Sequence, residues 1–548
     1  MSIGVVKPKN QIKQKRFITD DLLERTYNEL PRPSIYTLLA DHGEELFPSD
    51  FFCDLYPSKR GRPTTPARTI ATVMVLGAFE GLADEKATAK LKYDLRWKVA
   101  AGIAIDAPVF NYSVICLLRS RLLNSSSPER IFDRVLSFAK DNKIVISKIR
   151  SIDSTALYDS VETKSTIRMI EAALSDIESE IRYEIPSLSR PSFDDSKDVS
   201  NYIEALCARS LSHIEKYSQC ESETLGENLA FLSSILDQDT ESDESGKRSI
   251  KDGVSKDRII SKVDPEARHG RKSASRHFDG YKSHVASDPT TGLITAIKVT
   301  PGNVSDKEAT LDLVRDLGSV PEETEVALAQ PEEVLPSSAT ECDLSSKQQS
   351  AKDFNQAVIT DEDGQLRLNP EVSFVIGDSA YGGFDTRDDL ASRGIGILSR
   401  VPTPHNRDGK FAKDAFRIDT ANSCVTCPAG NVVAYKVSHL GQGAVSFGTS
   451  CATCPLKERC TTSKSGRTIR IHRYQAELER LRAQQRDPVF IALYNHYRSF
   501  AERMNAQLVK VLHGGRKSRY IGLEKSQFCI SQRAASVNLS RISKLLVT

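Results

Sequence analysis

The chain has 548 residues, 39% of them hydrophobic and 27% charged, with a formal net charge of +2. These values are those of an ordinary globular protein with room for two to four domains. No apolar stretch is long enough to cross a bilayer, and no apolar segment follows the basic N-terminus as it would in a signal peptide. The composition therefore excludes a membrane-spanning or secreted protein, and a cytoplasmic one is expected.

The small net charge conceals two acidic stretches in an otherwise basic chain. Residues 159–260 carry a net charge of −10 and residues 318–372 carry −9, which leaves +21 on the remainder. A basic surface of this size predicts a polyanionic partner such as DNA, with the acidic stretches away from it or screening it. Acidic segments can also serve only to keep a protein soluble, but that role would not explain why the rest of the chain is basic.

The first part of the chain has the pattern of a small helical domain. Residues 18–50 and 64–145 carry apolar residues at helical spacing, with Lys and Arg on the other side. Pro and Gly stiffen the loop at 56–63 between them. Three cations stand in this loop: Lys59, Arg60 and Arg62. They are candidates for phosphate contacts, although a basic loop of this kind can also be simply solvated.

A first strand is predicted from Ile144 to Asp153, and the sheet is expected to resume only at Phe278. Between them, residues 165–236 have a helical pattern, and residues 237–257 form a polar linker without strand signals. After this interruption, His277–Ala286 and Leu293–Thr300 are predicted to form a hairpin.

A helix is expected to open at Ser305, and the acidic stretch 318–370 interrupts the pattern again. The next predicted elements are a buried strand at Val372–Gly377, a helix at Thr386–Arg393 and a strand at Ile395–Val401. Two late helices complete the chain. The order predicts a mixed α/β sheet of the ribonuclease H-like kind, with an N-terminal helical domain and insertions.

Three acidic residues stand at informative places in this order. Asp153 and Asp378 are each expected at the end of an apolar strand, where ligands of open α/β sheets bind. Glu502 lies in a helix with apolar residues at a 3.6-residue rhythm, beside Arg498 and Asn505. Each acid taken alone also fits a purely structural role. Asp153 could be an ordinary turn residue, Asp378 could begin a Gly turn, and Glu502 could form a surface pair with Arg498. Together they are the ligands that a pair of divalent ions requires to hold both oxygens of a phosphodiester.

Five of the eleven cysteines crowd into a short segment. They are Cys424, Cys427, Cys451, Cys454 and Cys460. Two Cys-x-x-Cys pairs separated by a 23-residue loop are typical of a zinc ribbon, in which four thiolates hold Zn²⁺. One of the five is then spare, and the spacing argument leaves out Cys460. The alternative is a set of buried cysteines without metal.

A basic, Gly-rich turn follows the Glu502 helix at His513–Tyr520. Its cations Arg516, Lys517 and Arg519 are suited to phosphate contacts, although a surface loop of three cations can also be inert.

These residues together resemble the Asp-Asp-Glu class of insertion-sequence transposases, in particular the branch with a cysteine-rich insert. The N-terminal motifs are Leu-Tyr-Pro-Ser-Lys-Arg-Gly-Arg-Pro and Asp-Leu-Arg-Trp-Lys. The acidic motifs are Ile-Asp-Ser-Thr-Ala, Gly-Asp-Ser-Ala-Tyr-Gly and Ala-Glu-Arg-Met-Asn-Ala-Gln-Leu. Thr-Pro-Gly-Asn-Val-Ser-Asp, Arg-Tyr-Ile-Gly-Leu and Val-Asn-Leu-Ser-Arg complete the likeness. It covers about three quarters of the chain and excludes most of the two acidic stretches.

The resemblance implies that Asp153, Asp378 and Glu502 bind Mg²⁺ or Mn²⁺ for strand cleavage and strand transfer. It also favours Cys424 as the spare cysteine. Relatives often carry a Tyr three residues before the Arg and a Lys seven after the Glu. Here those positions are Asn495 and Val509, so Arg498 is the expected phosphate contact.

The implied partners are the element's terminal inverted repeats and target DNA, bound by a homodimer without any membrane, in a prokaryotic, nucleoid-associated setting. The expected domains are a helical domain (1–143), a catalytic core (144–158, 261–317, 371–403), two acidic insertions (159–260, 318–370), a cysteine insert (404–485) and a closing helical part (486–548). Two alternatives stay open: a ribonuclease H-like nuclease that cleaves without joining, and a non-catalytic zinc-ribbon DNA-binding protein derived from a transposase.

Overall fold

The chain divides into two compact units in a computed structural model. It describes residues 19–48, 50–56, 65–159, 163–181, 196–244, 247–253, 255, 257–273, 275–317, 354, 357–404, 409–438, 441–509 and 515–547. The first unit consists of Met1–Ile146, Asp153–Leu313 and Ala501–Thr548, and the second of Ser147–Ile152 and Val314–Phe500. The chain thus passes between the units four times, and two of these passages fall within a strand (Ile149–Tyr158) and a helix (Pro488–Leu508).

The first unit begins with the predicted helical region, which is confirmed. Its helices are α1 Thr19–Glu29, α2 Ile35–Leu46, α3 Ala67–Phe79, α4 Asp84–Tyr93, α5 Leu95–Ala101, α6 Ser113–Leu123 and α7 Arg130–Asp141. Helix α3 is the most apolar of them, with nine consecutive buried residues from Thr69 to Gly77. Helix α7 is amphipathic and buries Ile131, Val135 and Phe138 on one side. These faces form a single hydrophobic core with the long C-terminal helix of the same unit.

The predicted mixed sheet is also confirmed. In the first unit, β5 (Arg276–Ser287) pairs antiparallel with β4 (Arg268–Ser273) and with β6 (Ile294–Pro301). In the second unit, β9 (Phe374–Ile376) is parallel to the start of β1 (Ile149–Tyr158) and to β10 (Gly396–Leu398). Strand β1 runs from Ile149 to Tyr158, and the strand order is β10-β9-β1-β5-β4.

The placement of β1 corrects one prediction. The strand begins at Ile149 rather than Ile144 and continues to Tyr158, so Asp153 lies inside it and not at its end. The extension is possible because Gly280 of β5 comes very close to β1. A Cβ atom at Gly280, which has a φ of +130°, would lie 2.4 Å from the carbonyl oxygen of Leu157. Only a glycine allows this approach.

The first acidic stretch contains three helices with a hydrophobic core of their own: α8 Thr166–Glu180, α9 Ser196–Lys216 and α10 Glu223–Asp239. A hairpin of β2 (Thr240–Ser242) and β3 (Arg248–Ile250) follows, where a linker without strands was predicted. Strand β4 likewise precedes the predicted restart of the sheet at Phe278. These predictions were wrong because the strands are short or polar and have no apolar alternation. The hairpin is closed instead by Asp243, whose Oδ1 accepts from the amide of Lys247 at 2.9 Å.

Ser305 precedes a short 3₁₀ turn, Asp306–Ala309, and helix α11, Thr310–Leu313. The second unit continues with the hairpin β7 Val358–Thr360 and β8 Leu366–Leu368, then helix α12 Phe384–Ser392. The cysteine segment contains β11 Arg417–Asp419, β12 Cys424–Thr426, β13 Val432–Ala434, β14 Gly443–Ser446, α13 Lys457–Cys460 and β15 Thr468–Ile471. The last helices are α14 Gln475–Gln484, α15 Pro488–Leu508 and α16 Leu523–Leu545. None of the helices in the described ranges is long and apolar enough to cross a membrane.

The second acidic stretch is not uniform. Phe354, Ala357 and Leu368 are buried in the core of the second unit. The amide of Leu368 also donates to Tyr497 Oη at 3.0 Å. Phe354, Ala357 and Leu368 therefore contribute to the stability of that unit, and a deletion that spares them has to end before residue 354.

Deletion of 318–353 with a short Gly/Ser linker is expected to leave the melting temperature nearly unchanged. It should not weaken DNA binding, because it removes a net charge of −6. Extending the deletion to residue 370 removes three buried side chains and is expected to cost roughly 5 kcal/mol or more of unfolding free energy. Thermal and urea denaturation of the two deletions measures the difference. The prediction would be contradicted if the two deletion variants were equally stable. It would also be contradicted if the variant lacking 318–353 folded but bound DNA more weakly than wild type.

Candidate active site and cysteine cavity

Asp153 is held by helix α15 within the first unit. Asn505 Nδ2 donates to Asp153 Oδ2 at 2.7 Å. Asn505 is only 6% exposed, and its Oδ1 has no hydrogen-bond partner among the described residues. Glu502 lies one turn earlier on the same helix and is exposed. Since residues three apart share a helix face, Glu502 lies on the face through which α15 contacts Asp153.

A partly buried ion pair fixes β1 directly beside Asp153. Ser154 Oγ donates to Asp306 Oδ2 at 2.7 Å, and Lys282 Nζ donates to Asp306 Oδ1 at 2.8 Å. Burial by itself would raise the pKa of Asp306, but the bonds from Lys282 and Ser154 outweigh it and the pKa is lowered. Asp306 is therefore ionised and joins β1, β5 and the turn before α11.

His284 lies on the same strand as Lys282 and is fully buried. Its Nε2 is 2.9 Å from Thr300 Oγ1 on β6. Burial lowers the pKa of His284 to about 4, so the ring is neutral near pH 7. Sequence reasoning missed Lys282, His284 and Asp306. The available signal for Lys282 and His284 was the presence of polar residues in a strand that also contains the apolar residues Tyr281 and Val285. Asp306 lies in the turn before α11 and had no such signal.

Asp378 lies in the second unit, in the Gly-rich loop directly after β9. Its Oδ1 accepts from the amide of Ala380 at 2.9 Å, and its carbonyl oxygen accepts from Ser399 Oγ at 2.6 Å. A Cβ atom at Gly382 would lie 2.4 Å from Ser399 Oγ, so a larger residue there would displace the hydroxyl that binds the Asp378 carbonyl. The predicted turn conformation of Asp378 and its position after a strand are both observed.

The parallel pairing of β1 with β9 defines the register of these strands. Its last two partners are Ser151 and Ile376. Asp378 follows Ile376 by two residues, and Asp153 follows Ser151 by two residues. Asp153 and Glu502 belong to the first unit and Asp378 to the second.

Arg498 is half-buried and binds the backbone of β1 in the second unit. Its Nη1 donates to the carbonyl oxygen of Ile152 at 3.2 Å. Nearby, Ser151 Oγ donates to the carbonyl oxygen of Tyr497 at 2.8 Å. At least one of the guanidinium donors of Arg498 therefore serves to join α15 to β1.

The basic turn is anchored to the end of β1. The amide of Tyr158 donates to the carbonyl oxygen of Arg516, and the amide of Ser518 donates to that of Tyr158, both at 2.8 Å. Arg516 and Lys517 are exposed, whereas Arg519 donates to the backbone oxygens of Gly81 and Leu82. The predicted DNA contacts Lys59, Arg60 and Arg62 lie outside the described residues.

Four of the five crowded cysteines line a single cavity of about 350 Å³. They are Cys427, Cys451, Cys454 and Cys460. Burial raises the pKa of Cys460, and the other three thiols act in the same direction. Cys424 is not among the lining residues and lies in β12, opposite Ala434. Within the described ranges, no group of three or more His, Cys, Asp or Glu side chains is arranged so that it could hold a metal ion.

Three family models match the chain. A model described as Transposase domain (DUF772) matches residues 24–121, and two models described as Transposase DDE domain match residues 248–329 and 426–543. Asp153 and Asp378 lie outside the matched ranges, and Glu502 lies inside the last one. Searches of curated proteins and of solved structures found no match.

The three matches agree with the helical N-terminal region and the mixed sheet. Transposases with a DDE domain are in general DNA-binding enzymes that cleave DNA with the help of divalent metal ions. The chain therefore belongs to the DDE transposases of insertion sequences.

Proposed function

We propose that this transposase cuts and joins insertion-sequence ends by metal-dependent phosphoryl transfer, with Asp153, Asp378 and Glu502 as the metal-binding carboxylates. The register of β1 and β9 carries the proposal. Both aspartates follow the last paired residues of two parallel strands by the same number of positions. Asp378 comes directly after β9, at the carboxyl end of the strand, which is where ligands of α/β folds bind.

The chemistry of the donors fits a hard divalent cation. Asp153, Asp378 and Glu502 provide only oxygen ligands, which Mg²⁺ and Mn²⁺ prefer. The unpartnered Oδ1 of Asn505, buried beside Asp153, is a further oxygen with unused capacity. When bound, the metal would activate water or a 3′-hydroxyl as the nucleophile and neutralise charge on the phosphate.

Residues of the chain itself hold this arrangement in place. Asn505 orients the Asp153 carboxylate through its amide nitrogen. The hydrogen bond from Ser154 Oγ to Asp306 fixes β1 at the residue that follows Asp153. Such a fixed set of charges lowers the barrier because it needs no reorganisation during the reaction.

DNA binding is assigned to the basic residues around this region. Exposed Arg516 and Lys517 are suited to phosphate contacts, and Arg498 and Arg519 are the other cations assigned to DNA. The proposed partners are the terminal inverted repeats of the element and target DNA, with two copies of the chain acting together on DNA. Binding of this kind weakens steeply with salt concentration.

A strand-transfer assay with the element's own ends tests the proposed function. Incubation with labelled ends, a supercoiled target plasmid and Mg²⁺ should yield nicked ends and then joined products. Cleavage without joining would favour the nuclease alternative. Binding of the ends without any metal-dependent cleavage would favour the non-catalytic DNA-binding protein.

We also propose that Cys427, Cys451, Cys454 and Cys460 bind one structural Zn²⁺. Their common cavity supports this set over the one that includes Cys424. Because the described residues contain no group already arranged to hold a metal, the four thiolates would have to converge when the ion binds. Four thiolates can complete a tetrahedral shell, and such closed sites are structural rather than catalytic. The segment around them has only a small hydrophobic core, which a metal would reinforce.

Replacement of Asn505 by Ala is expected to raise the Mg²⁺ concentration for half-maximal cleavage by about 10–100-fold, as is typical for residues that orient metal ligands. The physical reason is loss of the bond that fixes Asp153. Mn²⁺ binding, followed by electron paramagnetic resonance, should weaken in parallel.

The control is Asn538→Ala, which removes another buried Asn of the same unit, hydrogen-bonded to the backbone of Ile294. It should lower thermal stability without changing the metal dependence. An equal effect of both substitutions on metal dependence would contradict the positioning role of Asn505.

A further inference from the structure

A second cavity lies in the first unit, and its lining includes neither Asp153 nor any of the five clustered cysteines. Its volume is about 520 Å³, including the part open to solvent. It lies among helices α3, α6 and α16 and the start of α4. Its polar lining residues are Asp84, Arg119, Arg519, Tyr520, Gln532 and Arg533. We refer to it as the Gln532 cavity.

The side-chain amide of Gln532 has no partner there. Gln532 is 5% exposed, and both its Nε2 and its Oε1 lack a hydrogen bond among the described residues. A buried amide without partners costs folding free energy, so such groups usually bind water or a ligand. This amide presents a donor and an acceptor side by side.

The charged residues around Gln532 do have protein partners. Arg119 binds both oxygens of Asp84, at 2.9 and 2.7 Å. Arg533 Nη1 donates to the carbonyl oxygen of Gly515 at 2.9 Å. The unused hydrogen-bonding capacity of the cavity is therefore concentrated in a neutral amide. A ligand that complements it needs an acceptor next to a donor rather than a net charge.

Aromatic and apolar surfaces complete the cavity. The ring of Tyr520 lies beneath the guanidinium of Arg119, at 5.1 Å, and Met74 and Phe528 contribute apolar atoms. Arg519 is exposed and lines the cavity, so the cavity reaches the surface there. Arg516 and Lys517, both exposed, precede it in the chain by two or three residues. A planar group could enter beside cations that suit a phosphate backbone.

We propose that the Gln532 cavity binds an unstacked adenine base of DNA. Adenine presents N6–H and N7 side by side, and Gln pairs with this edge through two hydrogen bonds. The inference rests on the proposed function only in that DNA is the ligand. It adds a base-reading site that lies outside the set of metal-binding carboxylates.

Binding of dye-labelled single-stranded oligonucleotides, without divalent metal, tests the proposal. Wild-type protein should bind an oligoadenine strand roughly ten-fold more tightly than an oligothymine strand, as expected for one bidentate contact. Replacing adenine by purine, which lacks the N6 amine, should abolish the preference. This comparison leaves the protein unchanged and so does not depend on the folding of a variant.

Gln532→Met keeps the shape of the side chain and removes both polar atoms. It should remove the preference for adenine, keep the affinity for oligothymine and its salt dependence, and leave the melting temperature equal or higher. Gln527→Met is the matched control on the same helix, because Gln527 bonds to Glu129 and to the backbone of β6. It should lower the melting temperature and keep the preference.

The outcomes separate this inference from the proposed function. Equal binding of adenine and thymine strands by wild-type protein, or an undiminished preference in Gln532→Met, would overturn the base site and assign the cavity to water. Failure to bind any DNA would overturn the proposed function as well.

Discussion

Asn in place of Asp153 or Asp378, and Gln in place of Glu502, are each expected to reduce Mg²⁺-dependent cleavage by roughly 10³-fold, since loss of one preorganised group in such sites costs about 10²–10³-fold. The amide keeps the size of the side chain and removes the charge that binds the metal. Folding and binding of DNA ends should stay close to wild type, as measured by thermal denaturation and by gel shift without metal.

Two exposed aspartates provide matched controls for these substitutions. Asp312 pairs with Lys298 in the first unit, and Asp385 pairs with Arg473 in the second. Surface pairs of this kind contribute about 0–1 kcal/mol, so Asn at either position should leave cleavage near wild type. Near-normal cleavage by a variant of Asp153, Asp378 or Glu502 would remove that residue from the metal-binding set.

Substitution of the cavity-lining cysteines is expected to abolish zinc binding. Purified protein should contain one Zn²⁺ per chain, and Cys454→Ser or Cys460→Ser should lose it. Since structural Zn²⁺ contributes on the order of 10 kcal/mol of binding free energy to such small modules, its loss should make residues 404–465 sensitive to protease. Elemental analysis and limited proteolysis measure these effects.

Cys424→Ser is the matched control, because Cys424 lies in the same segment but does not line the cavity. It should retain the metal. Loss of zinc in Cys424→Ser together with its retention in Cys460→Ser would instead support the set that spacing alone suggests. Protein prepared without chelator that contains no stoichiometric zinc would leave the cysteines as packing residues.

The sequence predicted those parts of the fold that have a regular apolar pattern. The hairpin of β5 and β6 carries buried apolar residues such as Tyr281, Val285 and Ile297, and its bounds were close to the prediction. Strand β4, with the sequence Arg-His-Gly-Arg-Lys-Ser, has no such residues and forms by pairing with β5. A strand of this kind is stabilised by its neighbour, which a local pattern does not contain.

The candidate site was predictable to a similar degree. Asp153 and Asp378 were found because each follows an apolar run, and Glu502 because its helix is amphipathic. Asn505 was noted only as a neighbour on that helix. Its bond to Asp153 joins residues 352 positions apart, and pairing over such a distance depends on tertiary packing alone. The choice among five cysteines also required the position of Cys424 relative to the cavity.

Metal rescue of a cysteine substitution tests the metal-binding role of the carboxylates most directly. A thiolate binds Mg²⁺ poorly and softer ions such as Mn²⁺ better. Asp378→Cys and Glu502→Cys should therefore be inactive with Mg²⁺ and regain cleavage of the element's ends with Mn²⁺, while the corresponding Ala variants stay inactive with both ions. If the cysteine variants cleave equally well with Mg²⁺ and with Mn²⁺, direct metal binding by these residues is contradicted.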